Sequence, residues 1–351
     1  MRIPGSISAK RRAVRGAAFG LLVYAAYLFP ASMETELLPR LKPPPGQPST
    51  TRFDRSRILW AADAPPRIDA YPPSAICRFI PKGGMFKACV LHFLSENLTW
   101  LTAVRYMLPH LLAFTVLAFV FARLWCGWIC PLGTVGDVLC WLRRSLGFDH
   151  VRFPKEAQRV LKAGNWLILG LALGLSLLIV VPQLSICRDQ LFLPYCQICP
   201  GRLIFPLFGG TMPNWKDFST PIYGVFTVLG WVFLALFVLA FFTGRNVWCR
   251  LCPIGTFSSF FNRGGGVALL KDQARCNRCG VCADGCPVAS THVHDERKHV
   301  NVSHADCILC LRCVELCPRD GCLTATLFGR SIATSSFKAL PAAGGAEGVG
   351  S

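Results

Sequence analysis

The chain has 351 residues, of which 52% are hydrophobic and only 16% charged. That balance, with a positive mean hydropathy, argues against two or three soluble domains and points to a membrane protein. A net charge of +18 would suit nucleic acid, but the densest basic runs flank hydrophobic segments instead of lining a polar domain, so no nucleic-acid partner is read from it.

Residues 1–33 carry Lys10, Arg11, Arg12 and Arg15 without an acid, then an apolar run from Ala17 to Phe29. They read as an N-terminal transmembrane helix or uncleaved signal anchor, or else as a signal peptide with a cleavable Ala31-Ser32 step. Residues 34–105 are proline-rich (Pro43, Pro44, Pro45, Pro65, Pro66, Pro72, Pro73) and read as an irregular periplasmic segment holding Cys77 and Cys89. Residues 106–262 read as a transmembrane domain with spans at Leu108–Trp125, Trp166–Val181 and Tyr223–Phe242, and an outer loop over 182–221. The loop after the second span holds Arg143, Arg144, Arg152, Lys155, Arg159 and Lys162, whereas the outer loop holds only Arg188, Arg202 and Lys216. The positive-inside rule then puts the N-terminus, the 126–165 loop and the C-terminal domain in the cytoplasm, with the chain multi-pass in a bacterial inner membrane.

Spans two and four end alike. One gives Arg123-Leu-Trp125-Cys126-Gly-Trp-Ile-Cys130-Pro131-Leu-Gly133-Thr134, the other Arg245-Asn-Val-Trp248-Cys249-Arg-Leu-Cys252-Pro253-Ile-Gly255-Thr256. The arginine and tryptophan suit interfacial anchors. Cysteines three or four apart on a helix share a face, so Cys126, Cys130, Cys249 and Cys252 form a possible further metal or cluster site if the two spans are neighbours. Five cysteines fall on the outer side: Cys77, Cys89, Cys187, Cys196 and Cys199. Two readings stay open for them, disulfides in an oxidising compartment or an outer metal site built on Cys196-Gln-Ile-Cys199-Pro200.

Residues 263–328 carry the plainest chemistry. Cys276, Cys279, Cys282 and Cys286-Pro287, then Cys307, Cys310, Cys313 and Cys317-Pro318, each repeat the C-x2-C-x2-C-x3-C-P run of bacterial ferredoxins. Three thiolates of a run wrap one [4Fe-4S] cluster and the fourth crosses to the other. Cys276, Cys279, Cys282 and Cys317 therefore go with one cluster, and Cys307, Cys310, Cys313 and Cys286 with the second. A zinc site would leave the third cysteine of each run unexplained. Haem is disfavoured, since no C-x-x-C-H occurs and His110 is the single histidine within a span. His292, His294, His299 and His304 alternate with Asp295, Glu296, Arg297 and Lys298, which suits a solvated spacer better than a metal site. Residues 329–351 read as a disordered tail.

With these spans, the paired Cys-Pro endings and the double ferredoxin run, the chain resembles the NapH/MauN family of membrane-bound ferredoxin-type proteins. The resemblance covers most of residues 100–328 and is sharpest from Leu124 through Asp137 to Arg144. It departs at Cys249-Arg-Leu-Cys252, where the family has three residues between the cysteines. The fold class that follows is an all-α membrane domain of about four transmembrane helices, then a small α+β ferredoxin-like domain with two [4Fe-4S] clusters. The resemblance implies electron transfer between membrane quinone and a redox partner protein, as in a quinol dehydrogenase subunit. The alternative is an accessory factor supplying electrons for maturation of a periplasmic metalloenzyme. No catalytic residue is read from the sequence.

Overall fold

The computed structural model describes residues 6–28, 89–91, 94, 104–148, 155–178, 194–208, 218–243 and 248–336. Cys77, Cys187, Arg245 and the proposed cleavage step lie outside them, as does the side chain of His110. The helical part consists, in chain order, of α1 (Ile7–Leu28), α2 (Val104–Phe121), α3 (Leu124–Trp128), α4 (Pro131–Ser145), α5 (Lys155–Leu178), α6 (Pro194–Ile198), α7 (Pro200–Phe208), α8 (Pro221–Thr243), α9 (Trp248–Leu251) and α10 (Pro253–Ser259). Proline opens α4, α6, α7, α8 and α10. At a first helical position its missing N–H is lost from a group that has no intrahelical partner anyway, and its fixed φ already suits the helix.

The long helices α1, α2, α5 and α8 fall on the four hydrophobic segments. Among the described residues, one stretch, Pro221–Phe242, is long and apolar enough to cross a membrane, and 17% of its most apolar window is buried within the protein. Leu111–Phe121 and Ala163–Leu178 are apolar but shorter. One core gathers Phe114 and Ala118 of α2, Leu169 and Ala172 of α5, Tyr195 of α6 and Ile254 of α10. A second joins Leu132 of α4, Phe205 of α7, Phe237 and Phe241 of α8, and Trp248 of α9. Residues 194–208, read from sequence as outer loop, instead form α6 and α7 and pack along α8. A Cβ added at Gly230, near the middle of α8, would stand 3.4 Å from the Gln197 carbonyl, so the Cys196–Pro200 turn lies beside the body of that helix.

The C-terminal part adds β1 (Val267–Lys271), α11 (Val281–Asp284), α12 (His292–Asp295), α13 (Arg312–Leu316), β2 (Leu323–Leu327) and β3 (Arg330–Thr334). The three strands form an antiparallel sheet in that order, with Leu269 opposite Ala325 and Ala325 opposite Ala333. Strand β3 lies in the stretch expected to be a disordered tail; residues 337–351 lie outside the described ones. Alternating burial along β1 puts Val267, Leu269 and Lys271 on the inner face, and a strand half-buried in this way has period two.

The two parts are joined by hydrogen bonds as well as by packing. Asn262, fully buried, accepts from the Arg123 amide at 3.1 Å and donates to the carbonyls of His304 and Cys307 at 2.8 and 2.7 Å. The Gly266 amide donates to the Phe119 carbonyl at the end of α2. At the opposite edge the Ser8 amide, in the first turn of α1, donates to the Glu315 carboxylate on α13. Asn262 thus satisfies three backbone groups at the join of the two parts. Asn262→Ala is expected to destabilise the protein by about 3 kcal/mol, since buried polar groups left unpaired cost roughly 1–3 kcal/mol each. Chemical denaturation of the detergent-solubilised protein reads this directly, and a loss under about 0.5 kcal/mol, the range of an ordinary surface change, contradicts the bridging role.

Candidate iron–sulfur sites

The eight ferredoxin cysteines line two adjoining cavities. One is bounded by Cys276, Cys279, Cys282 and Cys317, together with Lys271, Arg278 and Cys322. The other is bounded by Cys286, Cys307, Cys310 and Cys313, with Cys282 on the shared wall and His292 and His304 at the side. Both loops curl in the same way. Arg278 and Gly280 have φ of 60° and 80°, and Leu309 and Leu311, at the same offsets in the second run, have 50° and 61°. Left-handed backbone costs a non-glycine residue roughly 1–2 kcal/mol, and burial of Leu309 and Leu311 at 1% and 4% exposure holds them there. Burial also pushes the Cys307 thiol up to about 12 and Cys282 to about 11. Buried thiols of that kind hold their protons near neutrality, and metal binding displaces them.

Cys322, just before β2, is 2% exposed and within hydrogen-bonding reach of Cys317 and Cys276. Lys271 had no sequence signal beyond its place in a strand. It is 3% exposed, and its ammonium donates to the carbonyls of Val293, His294 and Glu296 at 2.8, 3.1 and 3.0 Å while standing near Cys282. In the spacer the His292 and His304 rings stack at 3.5 Å, and both approach the Asp306 carboxylate, at 3.6 and 3.7 Å. His304 is half-buried while His292 is exposed; His294 and His299 pair with Asp295 and Glu296.

The four cysteines of the repeat meet at one place. Cys130 lies within electrostatic reach of Cys126 and Cys252, and Cys249 within reach of Cys130 and Cys126. Burial pushes the Cys130, Cys249 and Cys252 thiols up to about 12. The extra residue of the first motif is absorbed locally. The Cys130 amide donates to Trp125 and the Cys252 amide to Trp248, both at 3.0 Å, so a five-residue turn and a four-residue turn close on the equivalent tryptophan carbonyl. Both cysteines are then extended, with ψ of 118° and 117°, as a residue before proline should be. The Thr134 amide returns to the Cys130 carbonyl, and the Thr256 amide to the Cys252 carbonyl, both at 3.1 Å.

Each half carries a buried guanidinium. Arg15 of α1 lies against Gly133 and donates to the Cys126 carbonyl; Arg123 lies against Gly255 and donates to the Cys249 carbonyl at 2.6 Å and to Ala305 at 2.6 Å. Arg123 is 4% exposed and serves the second motif, not its own helix end as an interfacial anchor. Arg15, 2% exposed, pairs with Asp137. Cys199, read from sequence as outer, lies within electrostatic reach of Cys252 and is buried in the same core; Cys196 is half-buried next to it on α6.

A family model described as a 4Fe-4S binding domain matches residues 107–149 and 223–271, and one described as a 4Fe-4S dicluster domain matches 268–318. The ferredoxin-type protein NapH of Haemophilus influenzae is 27% identical over 219 residues, 60% of this chain and 64% of that protein. Its namesake in Escherichia coli is 27% identical over 56% of this chain and 60% of that protein. The methylamine utilization ferredoxin-type protein MauN of Paracoccus denitrificans is 28% identical over 47% of this chain and 48% of its own length. The chain thus spans about three fifths of the NapH relatives it matches. No solved structure matches.

Lys271→Met keeps the length of the side chain and removes its three donors. We expect a destabilisation of about 2–4 kcal/mol from the carbonyls left unpaired, seen as a lower denaturation midpoint and faster bleaching of the iron–sulfur absorbance. An unchanged midpoint contradicts the capping role.

Proposed function

Since the chain belongs to the NapH/MauN family of ferredoxin-type proteins, we propose that it is a membrane-anchored electron-transfer protein with two [4Fe-4S] clusters, passing electrons between the quinone pool and a redox partner protein. The observation that carries this reading is the pair of adjoining cavities, each bounded by three cysteines of one run and the last cysteine of the other. Cys276, Cys279, Cys282 and Cys317 would hold one cluster, and Cys307, Cys310, Cys313 and Cys286 the other. When bound, such clusters supply reversible one-electron chemistry. The chain's own residues set the conditions. Thiolate side chains suit iron over hard cations, Val288, Ile308 and Leu309 keep water from the second cavity, and Lys271 brings a fixed positive charge to the first.

The membrane part of the proposal rests on uncovered apolar surface. Val225, Val228, Val232, Leu236 and Leu239 of α8, Leu112, Val116 and Phe119 of α2, and Leu167 and Leu171 of α5 are all exposed. Apolar area on that scale is uncommon on a soluble monomer, and it supports α1, α2, α5 and α8 as four spans. The ferredoxin part and the Cys-Pro turns would then face the cytoplasm, where thiols stay reduced.

The test is electron paramagnetic resonance with iron quantitation on anaerobically purified full-length protein, before and after a reduced quinol analogue. Signals of two [4Fe-4S] clusters that grow on adding quinol are expected, and Cys279→Ser should perturb one cluster and spare the other. Clusters that dithionite reduces and quinol does not would remove the quinone pool from the reading; a preparation without [4Fe-4S] signals would remove the reading itself.

A further inference from the structure

We propose that His292, His304 and Asp306 form a binding site for a divalent metal ion of the zinc class, separate from the cysteine sites and independent of the electron-transfer reading above.

Three observations carry it. The Nε2 atom of His292 and the Nδ1 atom of His304 face the same Asp306 oxygen at 3.6 and 3.7 Å. One donor atom from each of the three residues lies within 4.8 Å of the other two. The two nitrogen–oxygen separations are too long for hydrogen bonds, which reach about 3.2 Å. They are close to the spacing of about 3.4 Å between two ligands that each stand about 2.1 Å from a tetrahedral ion.

The second observation is the state of the His304 ring. The Asp306 amide donates to its Nδ1 atom at 3.4 Å, so that nitrogen presents a lone pair, the form in which imidazole binds a metal. A lone pair and a carboxylate oxygen facing one another repel until a positive charge stands between them.

Thirdly, both arms of the site are held from behind. The Lys271 ammonium fixes α12, which His292 opens, through the carbonyls of Val293, His294 and Glu296. The other arm is tied by Asn262 at the His304 carbonyl, by Arg123 at the Ala305 carbonyl and by the Ser303 hydroxyl, which accepts from the Leu269 amide. Ligands whose supports are already in place lose little freedom when an ion binds. His294 and His299 have no part in the site, since each turns to a neighbouring carboxylate.

Two imidazoles and one carboxylate suit zinc or another late first-row ion over calcium or magnesium. Arg250 comes within electrostatic reach of Asp306, and such a cation weakens an ion held by oxygen alone more than one held chiefly by nitrogen. The His292 side chain is 47% exposed and those of His304 and Asp306 are 23% and 25% exposed, so an ion can enter from solvent and complete its shell with water. Both histidines also border the cavity of Cys286, Cys307 and Cys310. A bound ion would therefore staple α12 to the loop that opens the second cysteine run.

The test is to incubate cluster-loaded, full-length protein anaerobically with one equivalent of zinc, desalt it, and measure zinc, iron and X-ray absorption at the zinc edge. We expect one zinc per chain in a shell of nitrogen and oxygen at about 2.0–2.2 Å, with the iron unchanged. In a competition titration against a zinc chelator, His292→Ala, a change at an exposed position, should bind zinc at least about tenfold more weakly. Loss of a supporting partner alone costs roughly 10–100-fold in metal affinity, and loss of a ligand should cost no less. His294→Ala, beside the triad and outside it, should bind zinc as the parent does. Zinc that is not retained, zinc in a sulfur shell at about 2.3 Å, or equal affinity in His292→Ala overturns the proposal.

Discussion

Buried guanidinium groups hold the halves of this protein together. Arg123 leaves the end of α2 and reaches the carbonyls of Cys249 and Ala305, which belong to the second Cys-Pro turn and to the ferredoxin loop. Arg11 reaches the Gly127 carbonyl at 2.8 Å, and Arg15 the carbonyl of Cys126 and the carboxylate of Asp137. Taking such cations out of water costs several kcal/mol apiece. They are tolerated only where carbonyls converge, so the chain segments supplying those carbonyls have to be in place together. The helical part and the ferredoxin part are for this reason one folding unit at their contact, although their sequences look like separate modules.

The Cys-Pro turn is what brings those carbonyls to one place. Proline removes an amide and forces the preceding cysteine into an extended conformation, which ends one short helix and starts the next. Glycine two residues later leaves room for a guanidinium where a Cβ would collide. These constraints fix the turn while leaving the short helix before it free to close over four residues or five. The spacing between cysteines can therefore vary by one without moving the second sulfur off its place, and an irregular repeat in sequence becomes a regular one in space.

How much of this is legible in the sequence follows from the same physics. The two ferredoxin runs can be read because loop closure around a cluster needs short, fixed spacings, and the cavities gather the cysteines in those groups. The long helices can be read from hydropathy. Strand β3 cannot: Arg330-Ser331-Ile332-Ala333-Thr334 has one large apolar residue and follows a glycine, so its pairing is decided by the edge of β2 and by the Ser335 hydroxyl, which accepts from the Leu323 amide. Cys196 and Cys199 read as part of a loop because their segment is charge-poor and lies between two apolar runs. Nothing in its composition reveals that α6 and α7 fold back along α8. Arg11, Arg15 and Arg143 look like topological charges, yet all three are buried, because a count of cations carries no information about what each one touches.

That last point bears on how the redox sites are arranged. A ferredoxin domain tethered by a flexible linker would meet its donor by collision. Here the Gly264-Gly265-Gly266 link is too crowded to swing: Cβ atoms at Gly265 and Gly266 would collide with the carbonyls of Phe119 and Phe261 and with the Phe328 ring. The Trp128 indole donates to the Leu309 carbonyl at 3.1 Å, fixing the second ferredoxin loop to the end of α3. The Cys286 and Cys310 cavity is thereby packed against the Cys-Pro turns. The cavity of Cys276 and Cys279 lies on the far side of Cys282, with Cys279 exposed. The order set by packing is thus helical edge, inner cavity, outer cavity, solvent.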